Sequence, residues 1–398
     1  MAQAMRVRVP PWAHKIAGLF AGPPFYYNSK MDIEKIESAI ELTLKKRYPD
    51  PSRKRKEIAS LARKLSDLFT KERVSISQNY FARSGFRTAY LEHFTLINCV
   101  KTSLCLKELQ LPFRNAPIKI LDIGCGTAAA LAAASATFPE RKLEMTGVDA
   151  SVEILDDASE FLSNVVTDVH GYRLVNKTIS NETLIDLDLN EKFDIIIAAN
   201  FLNEFGSVSY ANFIQRIADK NLADDGYLIV IEPALKKTSR ALMEQRNFLA
   251  HLPACKIVAP CLHHKNCPML SANYRDWCHF YAGWKSTDKS KAMDALVGTD
   301  RTHLKYSYLI VQKSIKASTP HVRLTHRVIS SPLKSKGKLE FLLCGSDGVL
   351  RKIRRLDKDS SVSNYVMEKM MRGDIVSCAA DSKISSSSEI KILRTFLE

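Results

Sequence analysis

The 398-residue sequence has no apolar run of the roughly 18 residues that a membrane span requires. Its N-terminus lacks the compact hydrophobic stretch and small-residue cleavage site of a secretory signal. No two cysteines stand in the C-x2-4-C pair of a zinc knuckle. The nine cysteines are odd in number and clustered, and a chain kept inside the cell meets a reducing pool, so a disulfide framework is not expected. Clustered thiols in that setting point to metal. Acid is missing from the first 31 residues, the first acidic side chain being Asp32. That opening has the charge balance of an organelle presequence, but Ser and Arg are scarce in it and Pro-Pro interrupts it twice. What is present, 45% hydrophobic and 25% charged residues, suffices for a buried core and for two or three domains.

The formal charge of +15 is unevenly spread. Residues 281–398 carry 22 Lys/Arg against 12 Asp/Glu, with dense points in KSKGK at 334–338 and RKIRR at 351–355. Such a tail reads as a surface for a polyanion, nucleic acid in particular; a solvated, solubilising face is the alternative.

Residues 1–110 form an N-terminal helical region, in which IESAIELTLKKRY and IASLARKLSDLF repeat apolar residues at three and four. From about 111 to 315 the pattern becomes β-branched runs alternating with helical ones. IKILDIG, LEMTGVDA, YRLVNKTI, FDIIIAANF, YLIVIEPA, CKIVAP and YSYLIVQK are seven strand candidates, which predict an open, mainly parallel α/β sheet with helices on both faces. A cysteine-rich insert lies at 255–280. Residues 316–398 read as a small, basic, β-rich module, with a hairpin where GKLEFLLC and VLRKIRRL flank Gly-Ser-Asp-Gly. The end, with SSSS at 385–388, reads as a loosely ordered linker.

In ILDIGCGT a strand runs into Gly124-Cys125-Gly126 and a helix of small residues follows. Glycines let the backbone turn sharply and approach a ligand, and the helix start offers unpaired N–H groups. Asp122 precedes the turn, and Asp149 ends the next strand, where a carboxylate can hold both ribose hydroxyls. A dinucleotide G-x-G-x-x-G is not met, because residue 129 is Ala. The stretch resembles motif I of class I S-adenosylmethionine-dependent methyltransferases, and FDIIIAANFLNEF at 193–205 resembles their fourth-strand motif, which adds Asn200 to the cofactor set. The third glycine of the motif is Ala128 here, expected to narrow the room beside the cofactor's amino-acid end. Asp/Asn-Pro-Pro-Tyr is absent after the fourth strand, and the Ala-Pro-Cys at 259–261 follows the sixth strand, the wrong place for a cytosine-5 nucleophile. No catalytic residue is assigned; methyl transfer rests largely on positioning.

The stretch CKIVAPCLHHKNCPMLSANYRDWCHF at 255–280 holds four of the nine cysteines and three of the ten histidines. Thiolates bind zinc or an iron–sulfur cluster when four converge. Cys261, Cys267 and Cys278 leave one position, open to Cys255, a histidine or a distant cysteine; buried free thiols are the other reading. APC-LHHKN-CP, DWCHF, YSYL, LCGSDG and the upstream FRTAYLEHFTLIN are similar to the family of the mitochondrial small-ribosomal-subunit methyltransferase-like protein and its bacterial relatives, over about residues 75–375. One departure is Leu262, where that family has proline. The resemblance implies a [4Fe–4S] cluster, with zinc as the alternative, on Cys261, Cys267, Cys278 and Cys344. It implies S-adenosylmethionine as cofactor, association with small-subunit rRNA and assembly intermediates, no membrane, and a monomer off the ribosome. The expected compartment is a bacterial cytoplasm, with the mitochondrial matrix as alternative. Two roles stay open, a catalytically silent assembly factor and an active rRNA methyltransferase.

Overall fold

A computed structural model describes residues 31–48, 54–70, 80–112, 115–167, 170–177, 189, 191–201, 207–314, 324–378 and 383–394. The basic opening, residues 1–30, lies outside the described residues.

Four helices come first, α1 (Ile33–Arg47), α2 (Arg55–Thr70), α3 (Ser84–His93) and α4 (Thr95–Leu106). Asp32 caps α1 by accepting from the Lys35 N–H at 2.9 Å, and Ile36, Ala39, Ile40 and Leu44 form its buried stripe. Then the chain alternates: β1 (Ile118–Ile123), α5 (Ala129–Thr137), β2 (Leu143–Asp149), α6 (Val152–Val165), β3 (His170–Asn176), β4 (Phe193–Ala199), α7 (Ser207–Lys220), β5 (Leu222–Pro233), α8 (Lys236–Ala250) and β6 (Cys255–Ala259). A short helix α9 (Pro268–Ala272), β7 (Phe280–Gly283), α10 (Asp288–Val297) and β8 (His303–Lys313) follow.

All seven expected strands form, in the order β3-β2-β1-β4-β5-β8-β6, with β7 beside β8. The strands β1 to β5 are parallel, and β8 runs antiparallel to both β5 and β6. This is the doubly wound sheet of a class I methyltransferase-like fold. Alternate residues feed two cores. Ile120, Ile195 and Ile229 join the layer under α1, α4, α5 and α6, whereas Leu121, Ile196 and Leu228 join the layer under α7 and α8. Helix α4 is an integral part of the first layer: every residue of it except Lys101 is buried.

The second sheet contains β9 (His326–Val328), β10 (Leu333–Ser335), β11 (Lys338–Gly345), β12 (Leu350–Leu356), β13 (Ile375–Cys378), β14 (Lys383–Ile384) and β15 (Ile390–Arg394). Its order is β14-β12-β11-β9-β13-β15, with β10 beside β11, around a separate core that includes Val328, Phe341, Leu343, Ile353, Met367 and Val376. The hairpin joins β11 to β12 with Cys344 opposite Leu350. The expectation of a loose serine-rich end is corrected: Ile384 and Ile390 are buried in this core, and the Ser385 N–H and Ser388 hydroxyl close a turn at 3.0 Å. Serines serve there as turn formers between strands. Residues 379–382 and 395–398 lie outside the described residues.

Candidate functional site

At the carboxyl end of β1 the chain enters the left-handed region at Gly124 (φ 67°) and Gly126 (φ 51°). A methyl group on Gly124 would run into the ring of Phe201, which follows β4, so this position needs glycine for space as well as for φ. The Gly126 N–H donates to Asp149 Oδ2 at 2.9 Å, and the Ser151 N–H donates to Oδ1 at 3.0 Å. Both oxygens keep lone pairs for a further donor. Burial raises the Asp149 carboxyl above its ordinary range, against the opposing pull of the Ser151, Gly126 and Ala150 N–H groups. Asp122 is buried at 2% exposure, and its Oδ2 has no hydrogen-bond partner among the described residues. Burial first, then the charge of Asp149, pushes its carboxyl well above the usual value.

Asn200, directly after β4, is in the left-handed conformation (φ 58°), where asparagine is tolerated better than most residues. Its N–H donates to the Ile231 carbonyl at 2.7 Å, and its side-chain amide lies 3.5 Å from Asn98 Oδ1 on α4. Asn98 in turn donates to the Tyr90 hydroxyl at 3.3 Å, and Thr95 and Thr127 share a hydrogen bond at 3.0 Å. The N-terminal helices thus wall the glycine turn. Sequence reasoning missed Asn98, Thr95 and Phe201, because contacts between residues far apart in the chain leave no local pattern. Ala128 is also left-handed (φ 58°), a conformation costly for a residue with a Cβ. Its side chain is fully buried within the apolar layer, so its methyl group does not narrow the cleft as expected.

The second candidate centre lies where the two sheets meet. Cys261 follows β6, Cys267 precedes α9, Cys278 precedes β7, and Cys344 sits on β11. Cys267, Met243, Met269 and Ile329 form a small apolar cluster, with Cys278 and Cys344 packed against it. Burial, then the charges of Cys261, Cys267 and Cys344, raises the Cys278 thiol well above its ordinary value. Burial, then Cys261 and Cys267, does the same to Cys344. The four expected cysteines therefore lie within one another's electrostatic reach, and Cys255, whose thiol feels Asp219 and Lys313 instead, does not belong to them. Among the described residues, no group of three or more His, Cys, Asp or Glu side chains is gathered tightly enough to hold a single metal ion.

Two arginines oppose that negative charge. Arg246, 3% exposed, donates to the carbonyls of His263 and Lys265, and Arg372 donates to the His279 carbonyl at 2.9 Å. The Nε of each is buried without a partner among the described residues. His263 lies with Nε2 3.5 Å from the Cys344 sulfur and Nδ1 3.3 Å from Arg246, and burial with the Arg246 charge lowers it to about 4. His279 packs on Trp277 and is lowered to about 4 by burial and Arg372. Both imidazoles are neutral at pH 7.

The dense basic run is open to solvent only in part, at Lys352 and Arg354. Arg355 is 2% exposed and pairs with Glu368, Arg351 pairs with Asp347 at 2.6 Å, and Lys352 pairs with Glu340 at 3.2 Å. In the other run, Lys334 and Lys338 pair with Glu368 and Glu340 at 3.6 and 3.2 Å. Alternation along β12 explains this: residues 351, 353 and 355 face inward, and acids from neighbouring elements meet the two arginines. Arg354 remains exposed and makes no ion pair among the described residues.

No helix among the described residues is long and apolar enough to cross a membrane. Solved structures similar to the chain include a class I S-adenosylmethionine-dependent methyltransferase of Listeria monocytogenes described as putative (14% identity, TM-score 0.39, 73% of this chain and 90% of that one). Another is the Synechocystis magnesium protoporphyrin IX methyltransferase with bound S-adenosylmethionine (14% identity, TM-score 0.34, 64% and 97%). Two Schizosaccharomyces pombe relatives, the mitochondrial Rsm22-cox11 tandem proteins 1 and 2, are each 23% identical over 310 residues, 68% of this chain. The chain spans 39% of the length of these relatives. Residues 58–383 match the family model described as mitochondrial small ribosomal subunit Rsm22. The chain therefore belongs to the Rsm22 family.

Proposed function

We propose that this protein is an assembly factor of the small ribosomal subunit that binds rRNA, holds S-adenosylmethionine on the glycine turn and carries a [4Fe–4S] cluster on Cys261, Cys267, Cys278 and Cys344. The family match over residues 58–383 carries the first part. The mitochondrial matrix, rather than a bacterial cytoplasm, is the compartment that the mitochondrial relatives favour. Off the ribosome the protein is taken as a monomer.

The residues fit both groups. For S-adenosylmethionine, Gly126 has open space where a Cβ would be, Asp149 retains lone pairs for ribose hydroxyls, and the unpartnered oxygen of Asp122 is available to a cationic donor. For the cluster, the buried Cys267 and the half-buried Cys261, Cys278 and Cys344 lie beside two arginines with spare buried N–H groups. A single tetrahedral zinc would need sulfurs about 3.8 Å apart, from a Zn–S bond of about 2.3 Å. A four-iron cluster holds its thiolates further apart. When bound, the cluster supplies a rigid anionic cross-link. The chain's own part is to present thiolates from both sheets and to neutralise their charge through Arg246 and Arg372.

The alternative, an active rRNA methyltransferase, is favoured by one observation: beside Ala128 the left-handed Gly124 and Gly126 and the Gly126 N–H bond to Asp149 are retained. Anaerobically purified protein is expected to contain about four iron and four sulfide per chain. Cys344→Ser should lose them and Cys255→Ser should keep them; stoichiometric zinc, or iron surviving Cys344→Ser, would refute the ligand set. Transfer of labelled methyl to small-subunit rRNA separates the two roles.

A further inference from the structure

The cysteine-rich segment exposes one large apolar side chain. Tyr274 is 75% exposed, and no other large apolar residue between 255 and 280 is exposed. The turn that presents it is firmly held. Asn273 Oδ1 accepts from the Arg275 and Asp276 N–H groups at 2.8 and 2.7 Å, and the Asn273 amide donates to Asp276 Oδ2 at 2.9 Å. From α8, Arg240 donates to the carbonyls of Asn273 and Asp276 at 3.0 and 2.8 Å. Trp277 fastens the far side, donating to the Ala234 carbonyl at 3.1 Å. The backbone that carries the exposed ring is fixed from both sides before any partner arrives, which lowers the cost of binding.

Its surroundings select the partner. Lys236 lies 5.4 Å above the ring, Lys237 and Arg275 are exposed nearby, and none of the three makes an ion pair among the described residues. An isolated ring among cations lacks the contiguous apolar core that a protein contact needs. It suits a base that stacks while the flanking phosphates meet the lysines. Ala234 directly follows β5, and the Ile231 carbonyl of β5 accepts the N–H of Asn200, so Tyr274 stands on the same edge of the sheet as the glycine turn.

We propose that Tyr274 is a stacking platform for an unpaired RNA base, with Lys236, Lys237 and Arg275 holding the neighbouring phosphates at the rim of the cofactor cleft. This rests on the reading that the protein binds rRNA. Fluorescence anisotropy of the full-length chain with labelled ten-nucleotide single-stranded oligoribonucleotides and a matching duplex tests it. Tyr274→Ala should weaken single-strand binding by about 10-fold, within the range for one stacked base, and Tyr274→Phe should stay within about twofold. Lys236→Ala with Lys237→Ala should lower the salt slope by about 1.4. Unchanged single-strand affinity in Tyr274→Ala overturns the platform while leaving rRNA binding intact. If that variant instead loses only co-sedimentation with small subunits, the ring contacts a ribosomal protein and the proposal is equally refuted. Failure of the wild-type chain to bind either RNA would sink the rRNA reading and the platform together.

Discussion

Asp122 combines burial with an unpartnered carboxylate oxygen beside a second carboxylate, an arrangement that lowers stability in the free protein. Its folded-state pKa lies above the unfolded one. Between the two values the folded protein keeps a proton that the unfolded chain has released, so stability falls as pH rises through that window. Asp122→Asn removes the charge and keeps the shape. It should raise stability by about 1–2 kcal/mol at pH 8, with the gain shrinking toward pH 4, as read by thermal unfolding across pH. It should also weaken S-adenosylmethionine binding by calorimetry. A variant less stable than wild type at pH 8 would mean that Oδ2 has a partner in solution. The residues of this turn were legible because Gly124, Gly126 and Asp149 act through local backbone geometry. Phe201 and Asn98 were not, since only the closed fold brings them to the turn.

At the level of elements, hydrophobic alternation was sufficient for the seven strands, whereas β7, four residues long, is too short to show a period. Charge was misread for a related reason. RKIRR is dense in sequence, but a strand sends successive side chains to opposite faces, and composition cannot say which face meets Glu368 or Asp347. The consequence is measurable on one strand. Arg355 donates to the Asn364 carbonyl at 3.2 Å and pairs with Glu368, so Arg355→Ala should cost about 1.5–3 kcal/mol in urea denaturation. Arg354→Ala, its exposed neighbour, should change stability by less than about 0.5 kcal/mol. Equal effects would mean that the inward pairing does not persist in solution.

Across the whole molecule, the two sheets share little apolar surface beyond the cluster around Met243, Cys267 and Ile329, so their relative placement depends on polar ties as well. Glu108, just beyond α4 and 8% exposed, is the most connected of these. It accepts from the Tyr308 hydroxyl on β8 at 3.0 Å, Arg327 on β9 at 3.4 Å and Arg394 on β15 at 2.8 Å. Arg327, itself 3% exposed, also donates to the Pro260 carbonyl at 2.9 Å, one residue before Cys261. The N-terminal helices, the methyltransferase-like sheet and the C-terminal sheet therefore meet at one carboxylate, which Arg327 links to the residue preceding Cys261. Glu108→Ala would leave Arg327 buried with an unmatched charge, at a cost of about 3–5 kcal/mol. Because that cost falls on the junction, hydrogen exchange should show amides of β9, β13 and β15 losing protection before those of β1 and β4, with iron retained less firmly by the variant. Uniform loss of protection across both sheets would show that the apolar cluster and the four cysteines alone set the placement of the two sheets.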